Sequence, residues 1–104
     1  MASISDHQNA LIGRFVVVRD DLAGIHVGTM KAYEGRSCVL EDARKIYYWE
    51  GACTCHGIAV YGIDPAASLV APRVESVITH AVVEVVPCSD EAVACLVACP
   101  EWRP

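Results

Sequence analysis

The chain has 104 residues, of which 54% are hydrophobic and 20% are charged, and its formal net charge is −5. This composition excludes an intrinsically disordered protein and predicts a globular domain. Because no block of basic residues occurs, the chain lacks the positive surface that a nucleic-acid polymer needs, whereas a small anionic ligand requires only a few local cations.

The polar start of the chain predicts neither a secretory signal nor a membrane anchor. No window reaches the roughly 18 consecutive apolar residues of a membrane-spanning helix, so we expect no membrane association and a cytoplasmic location. Residues 1–11 are predicted to form a flexible N-terminal tail, and residues 12–104 a single domain. The apolar fraction exceeds what a small monomer readily buries, which predicts a homo-oligomer.

The first half of the chain has the pattern of short strands joined by turns. Residues 14–19, 25–33 and 37–41 predict three strands, with a tight hairpin at Glu34-Gly35. A bulge or bend at Asp42 is expected before a further strand over residues 44–49. These strands would form an antiparallel sheet.

The second half combines helices with further strands. Residues 53–60 predict a short helix that has Thr54 as its N-cap. Residues 68–70 predict an edge strand, and residues 75–86 predict one long central strand because both of its faces are apolar. Residues 90–99 predict a C-terminal helix without a polar face, which would pack on the sheet and on another subunit. The expected fold is therefore α+β, with an antiparallel sheet of about five or six strands, a short helix near 53–60 and a C-terminal helix near 90–99.

The richest chemistry lies in residues 43–52, which hold two cations, three consecutive aromatic residues and a carboxylate. In an extended segment, side chains alternate between the two faces, so each face would carry one cation beside an aromatic ring. Aromatic rings stack on planar ligands, and Arg and Lys bind phosphates, so the segment suits a planar anionic ligand. It also suits a purely structural role, because Tyr and Trp bury large areas.

Metal and catalytic sites find little support in the sequence. The spacing of Cys53-Thr54-Cys55-His56 does not match a zinc site, and we interpret this stretch as a short helix with one buried and one exposed cysteine. His26, His56 and His80 are candidate acid–base groups, but no catalytic motif accompanies them. We therefore expect no catalytic residue, no metal and no cofactor, and we interpret most of the six cysteines as reduced, small buried residues.

Five segments carry a family resemblance: residues 16–19, 23–28, 39–52, 83–88 and 101–102. In this order they resemble a family of small, uncharacterised phage and prophage proteins whose central motif reads Ala-Arg-Arg-Ile-Trp-Tyr-Trp-Asp-Gly-Ala. Lys45, Tyr47 and Glu50 depart from that motif, and the resemblance covers about residues 14–102. It implies a phage setting but no activity.

By analogy of physical traits, the chain is similar in kind to phage proteins that sequester nucleotide immune signals. We therefore expect it to bind, without cleavage, a nucleotide-derived second messenger such as a cyclic ADP-ribose isomer, an ADP-ribose conjugate or a cyclic oligonucleotide, and so to counter host antiviral signalling. The predicted ligand-binding residues are Arg44, Lys45, Tyr48, Trp49, Glu50, Thr54 and His56. The alternatives are a hydrolase or phosphodiesterase that uses His26 or His56, and a structural oligomeric phage protein without a small ligand.

Overall fold

The computed structural model describes residues 2–104. Three helices and six strands occur in it: α1 (Ile4–Ala10), β1 (Phe15–Asp20), β2 (Gly24–Glu34), β3 (Ser37–Tyr48), α2 (Cys55–Tyr61), β4 (Leu69–Val70), β5 (Val74–Thr79), β6 (Val82–Pro87) and α3 (Asp90–Ala98). All six strands form one antiparallel sheet. The predicted α+β fold, its six-stranded sheet and its C-terminal helix are confirmed.

The sheet has the order β4-β3-β2-β1-β6, and β5 pairs with the same edge of β3 as β4 does. The first half of β3 pairs with β5 and its last residues pair with β4. Between the two halves, Asp42 has a φ of 49° and lies where the register with β2 shifts. This is the predicted bulge. Gly28 faces it, and a Cβ on Gly28 would lie 2.9 Å from the Glu41 carbonyl oxygen, so a side chain would not fit there.

The prediction of one central strand over residues 75–86 is wrong. The chain bends at His80-Ala81, so that β5 pairs with β3 while β6 pairs with β1 at the other side of the sheet. The buried carboxylate of Asp20 holds this bend, because it accepts the backbone N–H of Ala81 at 2.9 Å. Burial alone would raise the pKa of Asp20, but the backbone N–H groups of Ala23, Leu22 and Ala81 bring it below its ordinary value.

Two hydrophobic cores lie on the two faces of the sheet. Val17 and Val27 belong to the core that the sheet forms with α2 and α3, which contribute Ile58 and Leu96. The neighbouring side chains of β1 lie in the second core, as strand alternation requires. The second core consists of Val16, Val18, Met30, Cys38, Leu40, Ala43 and Val82. Helix α3 is covered on one side only, which leaves Val97 44% exposed.

Residues 1–11 are predicted to form a flexible tail, but helix α1 occupies most of this stretch. Met1 lies outside the described residues. A capping box starts the helix: the Ser3 hydroxyl accepts the Asp6 N–H, and the Asp6 carboxylate accepts the Ser3 N–H. The side chain of Gln8 donates to the Gly35 carbonyl in the β2–β3 hairpin at 3.0 Å. The tail interpretation overlooked this capping signal. The hairpin turn itself lies at Gly35-Arg36, one residue later than predicted, because Glu34 pairs with Ser37.

Candidate functional site

A pocket of about 460 Å³ opens beside the start of α2. Arg19, Ile25 and Glu84 form one wall, and they are direct neighbours across β2, β1 and β6. Trp49 and the segment that leads into α2 form the opposite wall. The complete lining consists of Arg19, Ile25, Trp49, Cys53, Thr54, Cys55, His56 and Glu84.

Arg19 places a positive charge in this pocket. Its nearest acidic neighbour across the β1–β6 ladder is Glu84. The Glu84 carboxylate instead binds His56, with 3.1 Å between Glu84 Oε2 and His56 Nε2. Within residues 2–104, no carboxylate forms an ion pair with Arg19. The guanidinium is therefore available to an anionic group of a ligand.

The His56–Glu84 pair is the second polar element of the pocket. A carboxylate that accepts from Nε2 fixes the tautomer in which Nδ1 is an acceptor. The pair is accessible, since the His56 side chain is 70% exposed and that of Glu84 is 35% exposed. Such a pair can accept a hydrogen bond from a ligand or take up a proton.

Trp49 supplies a rigid aromatic surface. It is half-buried against the core between the sheet and α2, and its indole Nε1 donates to the Ala52 carbonyl at 3.1 Å. This bond fixes the orientation of the ring. Thr54 is the N-cap of α2, as predicted, because its hydroxyl oxygen accepts the Gly57 N–H at 3.4 Å. Its hydroxyl hydrogen is left to donate to a ligand.

A family model described as DUF6948, a domain of unknown function, matches residues 13–96. The chain belongs to the DUF6948 family. The matched range contains every residue that lines the pocket, whereas α1 and residues 97–104 lie outside it. No curated protein matches this DUF6948 domain. Over residues 2–104, none of its helices has the length and apolar character needed to cross a membrane.

Three of the seven predicted ligand-binding residues, Trp49, Thr54 and His56, line the pocket of the DUF6948 domain. The expected division of the two neighbouring cysteines is also confirmed, since Cys53 is exposed and Cys55 is buried. Among residues 2–104, no group of three or more His, Cys, Asp or Glu side chains is arranged to hold a metal ion. Residues 43–52 thus contribute only Trp49 to the pocket, and residues 53–56 contribute the rest of that wall.

Arg44 is not placed to bind phosphate, in correction of the sequence-based assignment. It is buried between β3 and the end of α3, outside the pocket, and burial lowers the pKa of its guanidinium. Its N–H groups donate to five backbone carbonyls at 2.7–3.5 Å, those of Val70, Ala71, Leu96, Cys99 and Pro100. Three of these carbonyls lie in or just beyond the last turn of α3, where a cation also stabilises the helix dipole. Arg44 thus joins α3 to β4.

The other three predicted residues lie outside the pocket. Lys45 is exposed and pairs with His26 in the ladder between β2 and β3. Tyr48 donates its hydroxyl to the Glu50 carboxylate at 2.9 Å, and this hydrogen bond raises the pKa of Tyr48. Tyr47 stacks on Trp102, with ring centroids 5.1 Å apart. The aromatic stretch of the DUF6948 domain therefore serves several surfaces, of which the pocket is one.

Local sequence patterns do not predict that Arg19, Ile25 and Glu84 share one pocket. They come from three strands, and only the register of the ladder brings them together. A signal was present, because Arg19 and Glu84 are charged residues within β-branched strands, where a charged side chain needs solvent or a partner.

His26 is a buried histidine that the pocket does not use. It is 7% exposed, and its Nδ1 has no hydrogen-bond partner within residues 2–104. Burial lowers the pKa of His26, Lys45 lowers it further, and Asp20 acts in the opposite direction. The folded state therefore favours the neutral ring.

We expect His26 to make the DUF6948 domain less stable in mild acid. Below its ordinary pKa of 6.5 the unfolded chain takes up a proton that the folded state does not, so the free energy of unfolding falls as the pH falls below that value. Urea denaturation between about pH 7.5 and about pH 5.5 measures this slope. His26→Gln should flatten it, whereas His7→Gln, at an exposed position, should leave it unchanged. Equal slopes for the parent and His26→Gln would contradict the expectation.

Proposed function

We propose that the DUF6948 domain binds a small anionic ligand with an aromatic ring, of the nucleotide class, and holds it without cleaving it. The observation that carries this proposal is the Arg19 guanidinium, which lacks an ion-pair partner within residues 2–104 and shares one pocket with the fixed indole of Trp49. A guanidinium binds phosphate by charge-assisted hydrogen bonds, and an indole stacks on a base. The volume of about 460 Å³ is in the range of small-molecule sites.

In this arrangement Arg19 replaces Arg44 and Lys45 as the phosphate-binding residue. Trp49 stacks on the base, the Thr54 hydroxyl donates to the phosphate or sugar, and the Glu84 carboxylate accepts from a ribose hydroxyl or a base amino group. Each role follows from a donor, an acceptor or a ring that lines the pocket.

The biological role that we propose is sequestration of a nucleotide-derived immune second messenger by a phage-encoded protein in the host cytoplasm, which would counter antiviral signalling. The resemblance of residues 43–52 to a phage motif supports this setting. We also propose that the protein forms a homo-oligomer, because several large apolar side chains are exposed, among them Tyr61 at 69% and Ile78 at 61%.

The experiment that tests the proposal separates binding from cleavage. The purified protein is mixed with AMP, cyclic AMP, ADP-ribose and a cyclic dinucleotide, and depletion of each from the free pool is measured by chromatography. Heat denaturation then releases the bound fraction for mass spectrometry. Depletion followed by recovery of the intact nucleotide supports the proposal. Recovery of altered nucleotide would indicate an enzyme, and lack of depletion for every nucleotide would contradict ligand binding.

Arg19→Ala is expected to weaken nucleotide binding about ten- to a hundredfold, since a charge-assisted hydrogen bond contributes roughly 1.5–3 kcal/mol. Because Arg19 is exposed, the free energy of unfolding should change by less than about 0.5 kcal/mol. Calorimetric titration and a thermal melt measure the two effects. Arg14→Ala, at an exposed arginine just before β1, is the matched control and should bind like the parent. An Arg19→Ala variant with parental affinity would remove Arg19 from the site.

A second candidate function is hydrolysis of the same nucleotide, and the His56–Glu84 pair favours it. His56 oriented by Glu84 at 3.1 Å could act as the general base that takes a proton from an attacking water. The water oxygen would then form a bond to phosphorus while the bond from phosphorus to the leaving ribose oxygen breaks, and the ribose oxygen would take up a proton from solvent. In that case the His56→Gln variant should still deplete the free nucleotide. The nucleotide that it releases on heat denaturation should be intact.

A further inference from the structure

We infer that the pocket selects phosphodiesters and rejects phosphomonoesters. This inference rests on the proposed function and specifies the ligand class of the same site. A phosphodiester carries one negative charge per phosphate, whereas a phosphomonoester carries about −1.5 to −2 at neutral pH. The pocket contains the charges that distinguish the two.

The charged side chains, the histidine and the buried cysteine of the pocket come from β1, β6 and α2. Strand β1 contributes the cation Arg19, β6 contributes the carboxylate of Glu84, and α2 contributes His56, whose Nε2 contacts Glu84. Burial raises the pKa of Cys55, so its thiol stays neutral near pH 7. The remaining lining residues are Ile25, Trp49, Cys53 and Thr54, none of which is a lysine, arginine, histidine, aspartate or glutamate. The pocket therefore offers one unpaired cation beside one carboxylate.

The geometry of the ladder places the two opposite charges side by side. Arg19 and Glu84 are direct partners across β1 and β6, so their Cβ atoms are roughly 5 Å apart. A phosphate bound to Arg19 consequently lies near the Glu84 carboxylate. One negative charge is neutralised by the guanidinium, but a second one has no counterion and is repelled by Glu84. Lys45 and Arg44, the cations nearest in sequence to the aromatic stretch, do not line the pocket.

The ligand class that fits is a ring-bearing phosphodiester. Cyclic mononucleotides and cyclic dinucleotides belong to it, because all of their phosphates are diesters. Nucleoside monophosphates and linear dinucleotides with a terminal phosphate do not. With an effective dielectric between that of the protein surface and that of water, the repulsion of one additional charge by Glu84 corresponds to about a tenfold loss of affinity.

Two matched pairs of nucleotides test the inference by calorimetric titration near neutral pH. Cyclic AMP is compared with AMP, and cyclic di-AMP with linear di-AMP that carries a terminal phosphate, so each pair differs in a monoester. In whichever pair binds, the cyclic nucleotide should bind about tenfold more tightly than the nucleotide with the terminal phosphate. Glu84→Gln should reduce this ratio to less than about threefold by strengthening the binding of the monoester. Glu50→Gln, which removes an exposed carboxylate outside the pocket, should leave the ratio unchanged.

The outcomes separate this inference from the proposed function. Equal or tighter binding of the monoesters by the parent would overturn the charge selectivity while leaving nucleotide binding intact. A ratio that does not change in a folded Glu84→Gln variant would also overturn it. Binding of none of the four nucleotides, nor of ADP-ribose, would refute the proposed function, and the inference with it. A thermal melt establishes that Glu84→Gln is folded.

Discussion

Replacing Arg44 by alanine is expected to lower the free energy of unfolding by about 3–5 kcal/mol. The truncation leaves carbonyl oxygens of β4 and of the end of α3 without the donors that they have in the folded protein. A buried acceptor that loses its partner costs about 1–3 kcal/mol, and water that enters the cavity restores only part of the loss. Urea denaturation of the parent and the variant, with equal slopes, measures the difference.

Two further variants define the cause. Arg44→Lys keeps the charge but has three donors on one nitrogen, so we expect an intermediate loss. Lys45→Ala changes the exposed neighbour and should alter the free energy of unfolding by less than about 0.5 kcal/mol. If Arg44→Ala melted like the parent and lost nucleotide binding, the structural role described above would be refuted and the phosphate role restored.

Gly62→Ala is expected to destabilise the protein by about 3–5 kcal/mol for a different reason. Gly62 ends α2 with φ 82° and ψ −155°, a backbone conformation that is open essentially to glycine alone. In addition, a Cβ at this position would lie 2.7 Å from both Cβ and Sγ of Cys95 in α3. Backbone strain and overpacking each contribute about 1–3 kcal/mol, and α2 and α3 must separate to accommodate the methyl group.

Gly13→Ala is the matched control for this substitution. Gly13 has a nearly identical φ of 86°, but no atom lies within 4 Å of the position of its Cβ. It should therefore show the strain alone, about 1 kcal/mol. The excess loss in Gly62→Ala, measured by urea denaturation, reports the contact with Cys95. Equal decreases in the free energy of unfolding for the two variants would show that the contact with Cys95 adds no measurable cost.

The strands that local patterns predicted correctly are those whose ends carry a local signal. Gly35 marks the β2–β3 hairpin, and Asp42 marks the bulge in β3. The bend between β5 and β6 was missed because it contains neither glycine nor proline. It is held by the Asp20 carboxylate, which is distant in sequence. The apolar residues on both faces of 75–86 do not indicate one central strand. They occur because the segment forms two strands, β5 and β6, which pair at opposite sides of the sheet.

The candidate site could be predicted only in part for a similar reason. Alternation along β3 indicates which side chains share a face, but it does not show what covers that face. Arg44 and Trp49 both belong to the aromatic stretch, yet one is enclosed by the end of α3 and the other lines an open pocket. Arg19 and Glu84 meet through the register of β1 and β6, which no local pattern specifies.

Strand β3 contributes to both hydrophobic cores, and this affects the stability of the whole domain. Leu40 and Ala43, before and after the bulge, belong to one core, and Ile46 belongs to the other. The same strand leads directly into Trp49 and the pocket wall. Because β3 contributes side chains to both cores, a loss of this strand would disrupt both of them. A single strand thus couples the two cores, and one wall of the pocket follows directly from it.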